Sequence, residues 1–397
     1  MTDIESVLPL EGVTVVSLEH AIAAPLATRH LADLGARVIK IERPGVGDFA
    51  RAYDHRVDGL ASHFVWVNRS KESLTLDLKQ PEAKSILLKL LDSADVLVQN
   101  LAPGAAARLG LSFEVLCKRN PRLIVCDISG YGEGGPYTEK KAYDLMIQSE
   151  SGFLSVTGTS EEQVKAGISI ADTAAGMYAY SNILGALIER GRTGRGRRIE
   201  IAMIDAMVEW MGFSMYYAYK NQDPPKRTGA SHATIYPYGP FQAGDGRTVM
   251  LGLQNEREWA VFCEKVLQNA QLAIDERFSS NAKRVAHRDD LRALIEHAFA
   301  NLSAEEVITR LDAADIANAN VSSMSDIWSH RQLKARDRWT TIESPVGPLP
   351  ALFPPGMGPN RPAKMGPVPA LGEHTDSILA ELGYANSVTE LRTKGVV

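Results

Sequence analysis

The feature that most constrains this chain is an alternation of strand-like and helix-like runs across residues 13–129. "VTVVSLE" (13–19), "RVIKIE" (37–42), "SLTLDL" (73–78), "VLVQN" (96–100) and "RLIVCDIS" (122–129) are short, apolar and rich in β-branched residues. Between them lie runs with helical spacing. "APLATRHLADLG" (24–35) carries Pro25 near its start and Gly35 at its end, and "PEAKSILLKLLDSA" (81–94) repeats the theme. Strands separated by helices of this length predict a parallel sheet with helices on its faces, a Rossmann-like α/β domain.

The pattern changes from about residue 143. The spacing predicts helices over 143–155, 172–190 and 203–220, and the stripe "VEWMGFSMYYAY" (208–219) reads as a buried helix. "NQDPPKRTGASH" (221–232) reads as a linker. After it, "RTVMLGL" and several amphipathic helical runs predict a small α+β domain ending near 330. Residues 343–372 are dense in Pro and Gly and predict irregular chain along a surface, before a last helix over 373–383. The expected organisation is a large domain over 1–221, a small domain over 222–330, and a linker with a return to the large domain over 331–397.

Charge and cysteine content narrow the function. A net charge of −5 on 397 residues argues against a general nucleic-acid or membrane-surface protein. Cys117, Cys126 and Cys263 are scattered, which fits a reducing, cytoplasmic setting rather than a disulfide framework. The nine histidines show no metal-ligand spacing, so no metal is expected. "GYGEGG" (130–135) spells a dinucleotide fingerprint, but Pro136 and polar residues follow where a helix must open, so it reads as a loop.

One carboxylate stands out. Asp172 lies within "AGISIADTAAGMYAY" (166–180), where every other residue is uncharged. Followed by a good helical run that ends near Arg190, it reads as an N-cap. A helix N-terminus also holds a carboxylate anionic, and an anion at the rim of an apolar pocket is a competent nucleophile toward an activated acyl group.

Taken in order, "LGARVIKIERPGVGD", "NRSKESLTLDLKQPEAKSILLKLLDSADVLVQNLAPGAAARLGL", "YDLMIQSESG", "ISIADTAAGMYA", "GRGRRIEIAMIDA" and "LGEHTDSILAELGY" resemble the class III CoA-transferases, the group that includes formyl-CoA transferase and carnitine CoA-transferase. The resemblance covers nearly the whole chain. It implies a Rossmann-like large domain, a small domain and two chains threaded as an interlocked homodimer. It implies no tightly bound cofactor, coenzyme A being substrate and product. The family's catalytic aspartate falls on Asp172, which would carry first an acyl group as a mixed anhydride and then CoA as a thioester. CoA-contacting positions fall on Arg43, Leu76, Asn100, Leu101, Arg108 and Lys141, with His20 and Ala23 beside them in the first βα turn.

Two departures direct the expectation of substrate. Ile22 stands where formyl-CoA transferase has a glutamine, and "LGLQNEREW" (251–259) replaces a glycine-rich loop, so a larger acid than formate or oxalate is expected. Tyr143 in "KAYDLM" stands where the α-methylacyl-CoA racemases of the same fold carry a basic histidine, and a tyrosine is a poor base near neutral pH. Since relatives in the family act on succinate with itaconate, mesaconate, citramalate or malate, the resemblance implies succinyl-CoA as donor and a C4–C5 dicarboxylate as acceptor, with an aromatic or carnitine-like acid as the alternative. Arg51 would hold the second carboxylate, with Tyr143 and His232 as further substrate residues.

Overall fold

The computed structural model describes residues 7–397. The described chain forms two compact units, residues 7–151 with 166–212 and 331–397, and residues 152–165 with 213–330.

The first unit is built on a six-stranded sheet: β1 (Thr14–Leu18), β2 (Arg37–Glu42), β3 (Lys71–Thr75), β4 (Val96–Gln99), β5 (Ile124–Ser129) and β6 (Arg198–Ala202). Its order is β3-β2-β1-β4-β5-β6, and every pairing is parallel. Strands of such a sheet are covered on both faces, which is why they read as continuous apolar runs. Helix α1 (Ala23–Asp33) connects β1 to β2, and α2 (Pro81–Leu91) connects β3 to β4. In α2, Ala83, Ile86, Leu87 and Leu90 recur at helical spacing and pack with Ile39, Leu74 and Leu97 in one buried cluster.

Several elements differ from the sequence-based expectation. β3 begins at Lys71, two residues before the predicted run, and the chain then leaves the sheet because the Asp77 N–H pairs with the Val396 carbonyl at 2.8 Å. The helix expected over 143–155 is two pieces, α3 (Asp144–Glu150) and Phe153–Val156, broken at Gly152 with φ +83°. A long helix α4 (Ile170–Thr193) follows, ended by Gly194 in the left-handed region.

The helix expected over 203–220 stops as α5 (Met203–Met211) at Gly212, φ +40°. The "VEWMGFSMYYAY" stripe is not buried: Phe213, Met215, Tyr216 and Tyr219 are exposed. The Pro/Gly segment is not wholly irregular, since Trp339–Ile342 and Leu349–Leu352 pair antiparallel around a Ser344–Gly347 turn. A further helix, Val388–Thr393, follows the predicted last one, which spans Thr375–Glu381.

The second unit is α+β. Three antiparallel strands, Tyr238–Gln242, Thr248–Gly252 and Ala317–Asn320, pack with the amphipathic helices Arg288–Phe299 and Ala304–Ala313. Phe241, Leu251, Trp259, Phe278, Ile295 and Leu311 are among its buried core residues. Among the described residues of either unit, no helix is long and apolar enough to cross a membrane.

Candidate active site

The strand order reverses between β1 and β4, and open α/β sheets gather ligands outside the carboxyl ends of their strands at such a point. Two residues bridge the reversal. The His20 N–H, just after β1, donates to Asn100 Oδ1 at 2.9 Å, and Asn100 Nδ2, just after β4, donates back to the His20 carbonyl at 2.9 Å. The chain then turns through Ala21, φ +60°, and enters α1 at Ala23.

Asp172 is the third residue of α4, not its N-cap. Ser169 holds the cap position without making a side-chain bond. The cap arrives from another helix. Asp144 Oδ1 accepts the N–H groups of Ala171 (2.8 Å) and Asp172 (3.2 Å), while its Oδ2 accepts from Gln148 Nε2 at 2.6 Å. Gln148 is fully buried, and its Oε1 in turn accepts the Ala166 N–H at 2.9 Å. With the helix start capped by Asp144, the Asp172 carboxylate faces the start of α1, where the Ala23 backbone N–H favours its anion.

Burial pushes the Asp172 carboxyl up to about 7, and the negative charge of Asp144 adds to the rise; the Ala23 N–H acts against both. A carboxyl poised near neutrality and poorly solvated is reactive as an anion. Tyr53 lies within electrostatic reach of Asp172, Asp48 and Tyr143. Burial and those charges push its hydroxyl up to about 12, so it is a neutral donor. Tyr143 is the residue before α3 and is exposed.

The remaining sequence-predicted residues divide. His20 and Asn100 form the bridge just described, Ala23 starts α1, and Leu76 is buried. Arg43, Arg108 and Lys141 are exposed, and the Arg108 guanidinium reaches the Pro103 carbonyl at 3.4 Å. Leu101 and Pro103 line a cavity of about 460 Å³ outside the ends of β4 and β5, together with Gln99, Phe113, Asp127 and Arg198. Residues 130–135 form a loop on its rim, tied down where Arg198 forks onto Glu133 at 2.5 and 2.9 Å.

Arg51 does not present a free guanidinium. Both its arms are taken by the buried Glu42 carboxylate at 2.8 Å and the Pro369 carbonyl at 3.3 Å, and it stacks 3.7 Å over Phe64. His232 belongs to the second unit, where it stacks on Tyr238 and its Nδ1 accepts from Thr234 and Ile235.

Asp144, Gln148 and Tyr53 were not singled out from sequence. Asp144 carried one signal, its place at the head of a helical run directly after Tyr143. Among the described residues, no group of three or more His, Cys, Asp or Glu side chains is arranged to hold a metal ion.

Residues 10–375 match the family described as CoA-transferase family III. The chain is 34% identical to a succinate–glutarate CoA-transferase of Agrobacterium fabrum, over 94% of this chain and 96% of that one. It is 30% identical to a succinyl-CoA:mesaconate CoA-transferase of Haloarcula hispanica, over 97% and 99%. A solved CAIB/BAIF family protein from Brucella suis superposes with a TM-score of 0.83 at 34% identity, over 94% of this chain and 99% of that one. The fold, the length of the match and the shared identity lead to one conclusion: this chain belongs to CoA-transferase family III.

Proposed function

We propose that the protein moves CoA from succinyl-CoA to a small dicarboxylic acid, with Asp172 as the covalent carrier. The observation that carries the reading is the Asp172 carboxylate itself, in the first turn of α4 where Gly176 lets that helix pack closely on Ala23 at the start of α1. The names of the two relatives, which act on succinate, glutarate and mesaconate, support the substrate class.

The Asp172 carboxylate attacks the thioester carbonyl, the C–S bond breaks, and CoA leaves as a thiolate. The thiolate then attacks the aspartyl carbonyl of the mixed anhydride, releasing succinate and leaving CoA on Asp172. The acceptor carboxylate attacks that aspartyl thioester to form a second anhydride and free the thiolate. The thiolate attacks the acceptor's acyl carbon, which regenerates Asp172. Splitting acyl exchange into covalent steps lowers each barrier.

The apolar wall at Leu101 and Phe113 supports placing the adenine end of CoA there, with Arg108 beside it and Arg43 and Lys141 for the phosphates. Tyr53 supplies a neutral donor for the acceptor acid in place of Arg51, with the exposed Tyr143 beside it as a further substrate residue. The exposed Phe213, Met215, Tyr216 and Tyr219 support a dimer of interlocked chains, since clustered apolar surface marks an interface.

The test is to incubate the protein with succinyl-CoA, trap with hydroxylamine or borohydride, and map the adduct, which is expected on the Asp172 peptide. A panel of free acids read by mass spectrometry then ranks the acceptors. Asp172→Ala that keeps about a tenth of the wild-type turnover overturns the reading.

A further inference from the structure

Four titratable side chains lie buried behind the β1–α1 turn: Glu19, Lys40, Lys71 and Asp48. The Lys40 ammonium uses its three protons on the Asp48 Oδ2 (2.8 Å), the Glu19 carbonyl (3.3 Å) and the Glu19 carboxylate (3.4 Å). Lys71 and Thr28 complete the Glu19 carboxylate at 2.7 Å each. Desolvating such charges costs several kcal/mol per ion, and an apolar pair of the same size serves stability as well or better. The arrangement therefore calls for a role beyond stability.

Asp48 supplies it. Its Oδ1 accepts the Ala21 N–H at 3.2 Å and the Ala50 N–H at 2.9 Å, and its own N–H is held by Glu42 at 3.0 Å. Ala21 sits in the left-handed region at φ +60°, where a Cβ crowds the following carbonyl oxygen. That turn is fastened on one side by Asn100 at His20 and on the other by Asp48 at Ala21. Two residues later comes Ala23, whose carbonyl oxygen would stand 2.7 Å from a Cβ on Gly176, one turn after Asp172, and whose N–H favours the Asp172 anion.

We propose that Asp48, oriented by Lys40, is a positioning residue for Asp172: it holds the strained Ala21 turn so that the Ala23 N–H stays on the carboxylate. The inference rests on the reading of Asp172 as the covalent carrier.

The groups facing Asp172 are Asp144 from α3, the Tyr53 hydroxyl and the Ala23 N–H. Only the last depends on Asp48 through the turn. Asp48→Ser, too short to span Ala21 and Ala50, is expected to lower kcat about tenfold or more while KM for the CoA thioester stays within about threefold. With the Ala23 N–H displaced, the acid limb of kcat/KM moves to higher pH by about half a unit or more. The pair Lys40→Met with Asp48→Asn removes both buried charges yet keeps an Oδ1 acceptor, and is expected to restore kcat to within about threefold of wild type.

If Asp48→Ser fails to fold, Ala21→Val forbids the left-handed turn without touching the ion pair and is expected to show the same acid-limb shift. An unchanged kcat and acid limb in the folded Asp48→Ser protein, or in Ala21→Val, overturns the inference. So does a double variant as impaired as Asp48→Ser. Failure of the underlying reading looks different: Asp172→Asn retains turnover, or the trapped adduct maps elsewhere.

Discussion

Gly176 of α4 lies directly against Ala23 of α1. A Cβ on Gly176 would stand 2.7 Å from the Ala23 carbonyl oxygen and 3.3 Å from Leu26 Cβ. No side chain larger than hydrogen fits there without parting the two helices. The same approach brings the α1 start, with its free N–H groups, onto the Asp172 carboxylate one turn earlier in α4.

Gly176→Ala is therefore expected to cost about 1–3 kcal/mol in stability through overpacking. It should also lower turnover by more than the loss of folded protein explains, because the Ala23 N–H retreats. Thermal melts and kcat measured on the same folded sample check both.

Asp144→Asn tests the like-charge contribution at Asp172. The amide oxygen still accepts the Ala171 and Asp172 N–H groups, while the negative charge is gone. The Asp172 carboxyl then falls from about 7, and the acid limb of the pH–rate profile moves to lower pH. A limb that stays in place or rises contradicts the assignment of that limb to Asp172.

Asp172 also taxes stability above neutrality. Its folded pKa lies above the ordinary carboxylate value, so the folded state keeps a proton that the unfolded chain releases between about pH 4 and pH 7. Stability is present at low pH and lost as pH rises through that window. Asp172→Asn cannot ionise, so it should melt above wild type at about pH 8, by about 2 °C or more, and level with it at about pH 4.

His30 has the opposite sense. Burial first, then the charges of Arg29 and Arg69, push its imidazole down to about 3, and Arg29 meets its Nε2 at 3.3 Å. The unfolded chain takes up this proton near about pH 6.5, and the folded state refuses it. Stability falls as pH drops from about 6.5 toward 3. His30→Gln, which keeps an acceptor but no titration, should flatten the dependence of Tm on pH between about 4 and 6.5.

Arg51 and Asp48 show where reading a chain one residue at a time runs out. From sequence, Arg51 is a cation after a glycine-rich loop, and nothing nearby in the chain announces that Glu42 and Pro369 will occupy its guanidinium. Lys40 carried a faint signal, since a lysine inside "RVIKIE" puts a charge into a strand covered on both faces and requires a buried partner. Which carboxylate answers it is a matter of how the loop after β2 folds back.

Sequence alone determined the parallel sheet, the strand–helix alternation that builds it, the prominence of Asp172 and the family resemblance. Each is written in local periodicity or in residues close along the chain, which is where hydrophobic burial and backbone geometry act first. Tertiary structure alone decided that Asp144 rather than Asp172 caps α4, and that the stripe after Gly212 is exposed. It also decided that the turn at Ala21 is held from β4 and from the loop after β2. The cap and the turn depend on hydrogen bonds between residues 27 to 80 positions apart, and only the folded sheet brings them within reach.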